Sequence, residues 1–214
     1  MLIICCSMPR SGGTLLYQIT KEICEQAGIA GGRGFAKPSV KSGVVKTEFC
    51  EPWMIDKKDF AFGTYRDFRD VILSLRNFYN RRDAIKNTVP SWTIEDVLRY
   101  RNVIIKSFNG WEEHAVWIRY EQNNLAQVMA DTVASRLNVE LSDVEKTAII
   151  EKYSKENNRQ RIKKQKVDME AGNGSMLTRW HIGNPTNWQS ELTPQEVKAI
   201  EQAGGDWLKE YGYK

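Results

Sequence analysis

A short apolar run, Leu2-Ile3-Ile4-Cys5-Cys6, passes directly into Ser7-Met8-Pro9-Arg10-Ser11-Gly12-Gly13-Thr14, and then into Leu15, Ile19, Ile23 and Ala27 at helical spacing. An unbroken apolar run of this length is the pattern of a strand covered on both faces of a parallel sheet. A turn-forming stretch followed by an amphipathic segment that Gly28 closes gives the order strand, loop, helix.

The rest of the chain repeats that alternation. Residues Gly31 to Lys41, rich in Gly, Lys, Ser and Pro, read as an exposed loop, and Val44 to Thr47 as a second short strand. Phe60 to Tyr65 is a third strand that runs into a charged turn, after which Val71, Leu75 and Phe78 mark one face of a helix with Arg69, Arg76, Arg81 and Arg82 elsewhere. Ser91 to Asn109 reads as one helix with Thr93 as its cap, and Ala115 to Arg119 as a fourth strand before Tyr120. Leu125 to Leu137 is helical, and Ser142 with Glu145 forms a capping box for a helix to about Tyr153. Thr193-Pro194-Gln195-Glu196 opens another, ending near Gly204 or Tyr211. Between Ser154 and Glu191 periodicity is lost. This stretch holds the basic cluster Arg159, Arg161, Lys163, Lys164 and Lys166 and reads as a mobile or ligand-ordered lid segment. The expected fold is α/β: a mostly parallel sheet with helices on both faces and a ligand at the C-terminal ends of the strands.

Composition bounds the function. At 214 residues the chain is expected to form a single domain, 1–214. With 31 Lys and Arg against 27 Asp and Glu, the net charge of +4 suits an anionic ligand without calling for nucleic acid. The first apolar run is too short for a signal-peptide core or a membrane span, so a cytoplasmic location is expected. Cys5, Cys6, Cys24 and Cys50 contain no CxxC pair, and only His114 and His181 could join them, so no zinc-site spacing arises. A phosphatase-type Cys-x5-Arg loop is excluded by position: six residues after Cys5 stands Ser11, and six after Cys6 stands Gly12.

Two constellations carry chemistry. In the first loop, Gly12 and Gly13 let the backbone wrap an anion at a helix start, Arg10 adds a permanent cation, and Ser11 and Thr14 add hydroxyls. The alternative is a tight turn with a solvated arginine. No lysine follows the glycines, so this is not the Gly-x4-Gly-Lys loop of common ATP and GTP hydrolases. In the second, Arg66 leaves a strand end and Ser74 lies eight residues on, on the same helix side as Val71 and Phe78. The alternative there is an arginine paired with Asp67 or Asp70.

Together, Pro9-Arg10-Ser11-Gly12-x-Thr14 and Tyr65-Arg66-Asp67-x-Arg69-Asp70-Val71-x-x-Ser74 resemble the nucleotide-binding pair of sulfotransferases that use 3′-phosphoadenosine 5′-phosphosulfate (PAPS). The resemblance implies that Arg10, Ser11, Gly12, Gly13 and Thr14 hold the 5′-phosphosulfate, and that Arg66 and Ser74 hold the 3′-phosphate. Many cytosolic members carry lysine at the Arg10 position while other branches use arginine, and Phe68 replaces a proline often found there. Val45-Lys46-Thr47-Glu48 resembles the family's Lys-Thr-His segment, with Glu48 in the place of the general base. Trp117 to Glu121 looks like the strand ending in Tyr-Glu, which implies Tyr120 near the adenine. Trp180-His181-Ile182-Gly183 with Trp188 is similar to the Arg-Lys-Gly segment that closes over the nucleotide, keeping Gly183 and replacing the two basic residues.

The implied reaction is in-line sulfuryl transfer to a hydroxyl or amine without a metal. Glu48 takes the acceptor proton, and Arg10 with Lys46 neutralises charge on the leaving phosphate. Rival readings are a kinase-like phosphotransferase, a non-catalytic nucleotide binder, and a polyanion-binding module built on the Arg159 to Lys166 cluster. The acceptor, whether small molecule, glycan or peptide, is left open.

Overall fold

The computed structural model describes residues 1–29, 31–85, 89, 91–154, 156–157 and 187–213. Five strands form one parallel sheet: β1 (Leu2–Ser7), β2 (Gly32–Phe35), β3 (Gly43–Thr47), β4 (Phe60–Tyr65) and β5 (Val116–Arg119), in the order β2-β3-β1-β4-β5. β1 sits at the centre, with Cys5 paired to Lys46 on one side and Phe62 on the other. All six of its residues are buried, which is why its sequence shows no polar alternation.

Helices cover both faces. On one, α1 (Gly13–Gln26), α6 (Leu125–Leu137) and α7 (Asp143–Lys152) bury Leu16, Ile19, Ile23, Met129, Val133 and Ile149 against Ile3, Cys5 and Phe62. On the other, α3 (Phe68–Ile85), α4 (Ile94–Leu98), α5 (Arg101–Trp111) and the C-terminal helix α9 (Pro194–Glu210) enclose Phe68, Ile72, Val97, Phe108, Ile200 and Trp207. Two short helices, α2 (Pro52–Lys57) and α8 (Trp188–Glu191), complete the described elements. No helix among the described residues is long and apolar enough to cross a membrane.

Two local expectations are corrected. The stretch from Gly31 to Lys41 contains the edge strand β2, held by main-chain pairing to β3 across a register shift between Gly32 and Gly34. A four-residue edge strand with two glycines offers no side-chain pattern to read. The helix expected from Ser91 to Asn109 is two, because Tyr100 N–H bonds to Val97 O and Val103 N–H to Tyr100 O, bonds that tighten the chain into a turn. Between β3 and β4 lies α2, too short for periodicity and marked only by Pro52 at its start. The capping boxes of Ser142 with Glu145 and Thr193 with Glu196 form as read, and Thr93 caps α4. α9 continues through Gly204, where a Cβ would lie 2.6 Å from the Phe68 ring, so this glycine is a packing contact rather than a stop.

Cys5, Cys6 and Cys24 are buried free thiols. Burial pushes Cys5 up to about 12 and Cys24 up to about 11 from the ordinary 9.0. The folded chain therefore holds these protons more tightly than the unfolded chain, so stability is full below pH 9 and falls as the pH rises toward 11 and 12. Urea midpoints taken between pH 8 and 10.5 are expected to drop across that window. At pH 7.5 a thiol reagent is expected to modify half-buried Cys50 and to leave the other three intact until the protein unfolds.

Candidate functional site

The loop from β1 to α1 is set by three buried hydroxyls. Ser11 Oγ lies 2.8 Å from Thr64 O and 3.0 Å from Thr64 Oγ1, and Thr64 Oγ1 donates to Ser7 Oγ at 2.9 Å. Met8 N–H also donates to Thr64 O, so the end of β1 is fastened to the end of β4. Gly13 packs so closely on Ser7 that a Cβ there would meet the serine Cβ at 2.5 Å. Gly12, at φ 92°, caps α1 without a side-chain hydrogen bond, and the first turn of α1 carries no acidic residue. Among the described residues the start of α1 thus has no side-chain cap, and the positive end of its dipole has no acid in its own first turn.

Around this loop the other motifs converge. A Cβ on Gly12 would lie 2.9 Å from the Tyr120 ring, and the Arg66 guanidinium sits 4.7 Å over the centre of that same ring. Arg10 donates from Nε to Ser74 Oγ at 3.1 Å and lies 5.1 Å over Phe78. Lys46 Nζ donates to Thr14 Oγ1 at 2.9 Å and reaches Glu48 Oε1 at 3.4 Å. Glu48 is half-exposed, and its main-chain carbonyl accepts from Ser107 Oγ at 2.7 Å, which fixes the segment beyond β3. The residues come from the C-terminal ends of β1, β3, β4 and β5 and from the helices that follow them, as expected for a parallel sheet.

The electrostatics are those of an anion site. The Arg10 guanidinium titrates below its usual range because of burial, and because Arg81 and Arg66 lie close; Glu48 and Tyr120 act in the opposite sense. Three guanidinium groups and Lys46 therefore share one region, and a bound anion would relieve their mutual repulsion. Arg66 Nη2 pairs with Asp70 Oδ2 at 3.2 Å, and Asp70 Oδ1 accepts from Trp188 N at 3.1 Å. Below them Arg69 binds both oxygens of Asp67, reaches Glu201 Oε1 at 2.8 Å and stacks on Trp188 at 4.0 Å.

Of the residues singled out in the sequence, the structure brings together Arg10, Gly12, Gly13, Thr14, Lys46, Glu48, Arg66, Ser74 and Tyr120. Ser11 is placed differently: its side chain is fully buried and its hydroxyl is spent on Met8 O and Thr64, so it shapes the loop. Gly183, His181, Ile182 and the Arg159 to Lys166 cluster lie outside the described residues. Sequence reasoning missed Thr64, which looks like any strand residue, and Arg81, whose proximity to Arg10 depends on how α3 crosses the loop; Phe78, read as sharing a helix side with Ser74, lies under the Arg10 guanidinium. Asp70 was seen only as a possible partner of Arg66; its bond to Trp188 spans 118 positions and leaves no local signal. A separate open depression of about 540 Å³, lined by Asp131, Ser135, Glu140 and Lys146 among others, shares none of these residues. Among the described residues no group of three or more His, Cys, Asp or Glu is placed to hold a metal ion.

No protein-family model and no curated protein matches this sequence. Solved structures do match. The chain is similar to mouse sulfotransferase SULT7A1 complexed with PAP, at 16% identity and a TM-score of 0.68, covering 100% of this chain and 88% of that one. It is also similar to retinol dehydratase in complex with androsterone and the inactive cofactor PAP, at 15% identity and a TM-score of 0.64, covering 97% and 80%. These likenesses show that the chain has the sulfotransferase fold.

If Ser11 shapes the loop rather than binding a ligand through its hydroxyl, Ser11→Ala takes a buried hydroxyl donor from Met8 O and Thr64 O, which keep the N–H groups of Ser11 and Met8. The expected cost is about 0.5–1.5 kcal/mol of stability, read by urea unfolding. Thr14→Ala, whose hydroxyl faces Lys46 instead, is expected to cost less stability.

Proposed function

We propose that this chain is a sulfotransferase, transferring a sulfuryl group from PAPS to a hydroxyl or amine of an acceptor. The observation that carries the reading is the meeting of the two motifs: Arg10 of the first loop donates to Ser74 of α3, which belongs with Arg66, across 64 positions of sequence. One centre thereby offers two sets of donors, as a nucleotide with phosphate groups at its 5′ and 3′ positions requires.

The residues present fit such a ligand. The amides of Gly12, Gly13 and Thr14 at the start of α1, with Lys46 Nζ and the Thr14 hydroxyl, would hold the 5′-phosphosulfate. Arg66 and Ser74 would hold the 3′-phosphate, and the Tyr120 ring, already packed on Gly12 and under Arg66, would border the adenine. PAPS supplies an activated sulfuryl group, so the protein's task is positioning and charge stabilisation. Glu48 takes the acceptor proton at its carboxylate, on the half-exposed side of the Lys46–Glu48 pair. Lys46 stands between Glu48 and Thr14 and, with Arg10, meets negative charge that develops on the leaving side. The acceptor is a molecule able to present that hydroxyl or amine beside Glu48, and its class is set by loops beyond the strand ends.

Isothermal titration with 3′-phosphoadenosine 5′-phosphate (PAP) and with AMP tests the reading. Wild type is expected to prefer PAP by roughly 10- to 100-fold, the worth of a charge-assisted phosphate contact, and Arg66→Ala to erase that preference. Equal affinity of wild type for the two nucleotides would contradict it. In transfer assays with labelled PAPS against phenol, glycan and peptide panels, Glu48→Gln is expected to lower turnover by about 10²- to 10⁴-fold while leaving PAP affinity unchanged.

A further inference from the structure

Asp70, in the first turn of α3, stands between Arg66 and a distant part of the chain. Its Oδ2 lies 3.2 Å from Arg66 Nη2, and its Oδ1 accepts the main-chain N–H of Trp188 at 3.1 Å. Both side chains of the ion pair are nearly buried, at 7% and 12% exposure, so the pair is shielded from the screening that makes surface pairs weak. Arg66 is thus restrained twice. Asp70 fixes the guanidinium within its plane, and the Tyr120 ring, 4.7 Å below, fixes the plane itself.

Asp70 is held in turn. The Trp188 indole lies against Arg69 at 4.0 Å, and Arg69 is locked by the two oxygens of Asp67 and by Glu201 of α9. Burial works against the Arg69 charge, but the hydrogen bonds and charges of Asp67 and Glu201 outweigh it and raise its pKa. The start of α8 is therefore fastened to the start of α3, and the fastening reaches Arg66 through one carboxylate.

We propose that Asp70 is a positioning residue for Arg66, holding the guanidinium ready for the 3′-phosphate and deriving its own orientation from Trp188 N–H; this rests on the nucleotide reading above. Coulomb's law alone gives the opposite sign, since a carboxylate beside a phosphate site repels the phosphate. Asp70 helps binding only by preorganisation: a long arginine side chain already fixed in its bound geometry loses less rotamer freedom when the ligand arrives. The two effects make opposite predictions for one isosteric change.

Asp70→Asn removes the charge while keeping size and an oxygen for Trp188 N–H. Calorimetry with PAP and AMP is expected to show PAP affinity about tenfold weaker and AMP affinity within about twofold of wild type. PAP binding that tightens or stays the same overturns the proposal, and so does an equal loss for both nucleotides, which would mark a purely structural pair. A second pair of variants covers a failure of Asp70→Asn to fold. Trp188→Pro deletes the N–H at a first helical position that tolerates proline, and Trp188→Ala keeps the N–H while losing the indole. The proline variant is expected to show a PAP-over-AMP preference about threefold smaller than the alanine variant, and equal preferences overturn the proposal. A wild type that does not distinguish PAP from AMP brings down the nucleotide reading itself; loss confined to the variants' arm leaves that reading standing and decides Asp70 alone.

Discussion

The site depends on the junction of Ser7, Ser11 and Thr64. These three buried hydroxyls tie the end of β1 to the end of β4, and those two strand ends launch the two segments on which Arg10 and Arg66 ride. Thr64 O accepts from both Met8 N–H and Ser11 Oγ, so the loop cannot shift without leaving buried polar groups unpaired. Gly13 completes the junction because a side chain there would collide with Ser7. Everything functional hangs from this knot: the helix start that faces the loop, the Tyr120 ring against Gly12, and Arg10 reaching across to Ser74.

A second constraint is charge. Arg10, Arg66, Arg81 and Lys46 are drawn from four different segments, and the acids among them, Glu48 and Asp70, differ in burial. Glu48 is half-exposed and paired with Lys46, whereas Asp70 is nearly buried, paired with Arg66 and bonded to Trp188. In the proposed reaction one carboxylate would move a proton and the other would hold an arginine, because their burial and partners differ.

Much of this was legible in the sequence. The unbroken run from Leu2 to Cys6 announces a central strand because both its faces are covered, and the capping boxes at Ser142 and Thr193 announce their helices because capping is local chemistry. The Arg10 loop and the Arg66 to Ser74 segment could be read because each sits at a strand end entering a helix. What stayed hidden is non-local. β2 is held by main-chain pairing that leaves no side-chain pattern, and α2 is shorter than two turns. Ser11 looked like a ligand donor until Thr64, 53 positions away, was seen to take its hydroxyl. Asp70 and Trp188 were each visible, but nothing in the sequence joins them.

The central claim is that one site, assembled from segments far apart in the chain, holds a nucleotide by both its phosphate ends. A crystal structure of the protein with PAP tests it most directly. The account predicts the 5′-phosphate at the amides of Gly12 to Thr14 with Lys46, and the 3′-phosphate within hydrogen-bond distance of Arg66 and Ser74. A nucleotide bound elsewhere, or one whose 3′-phosphate points into solvent away from Arg66, would contradict it.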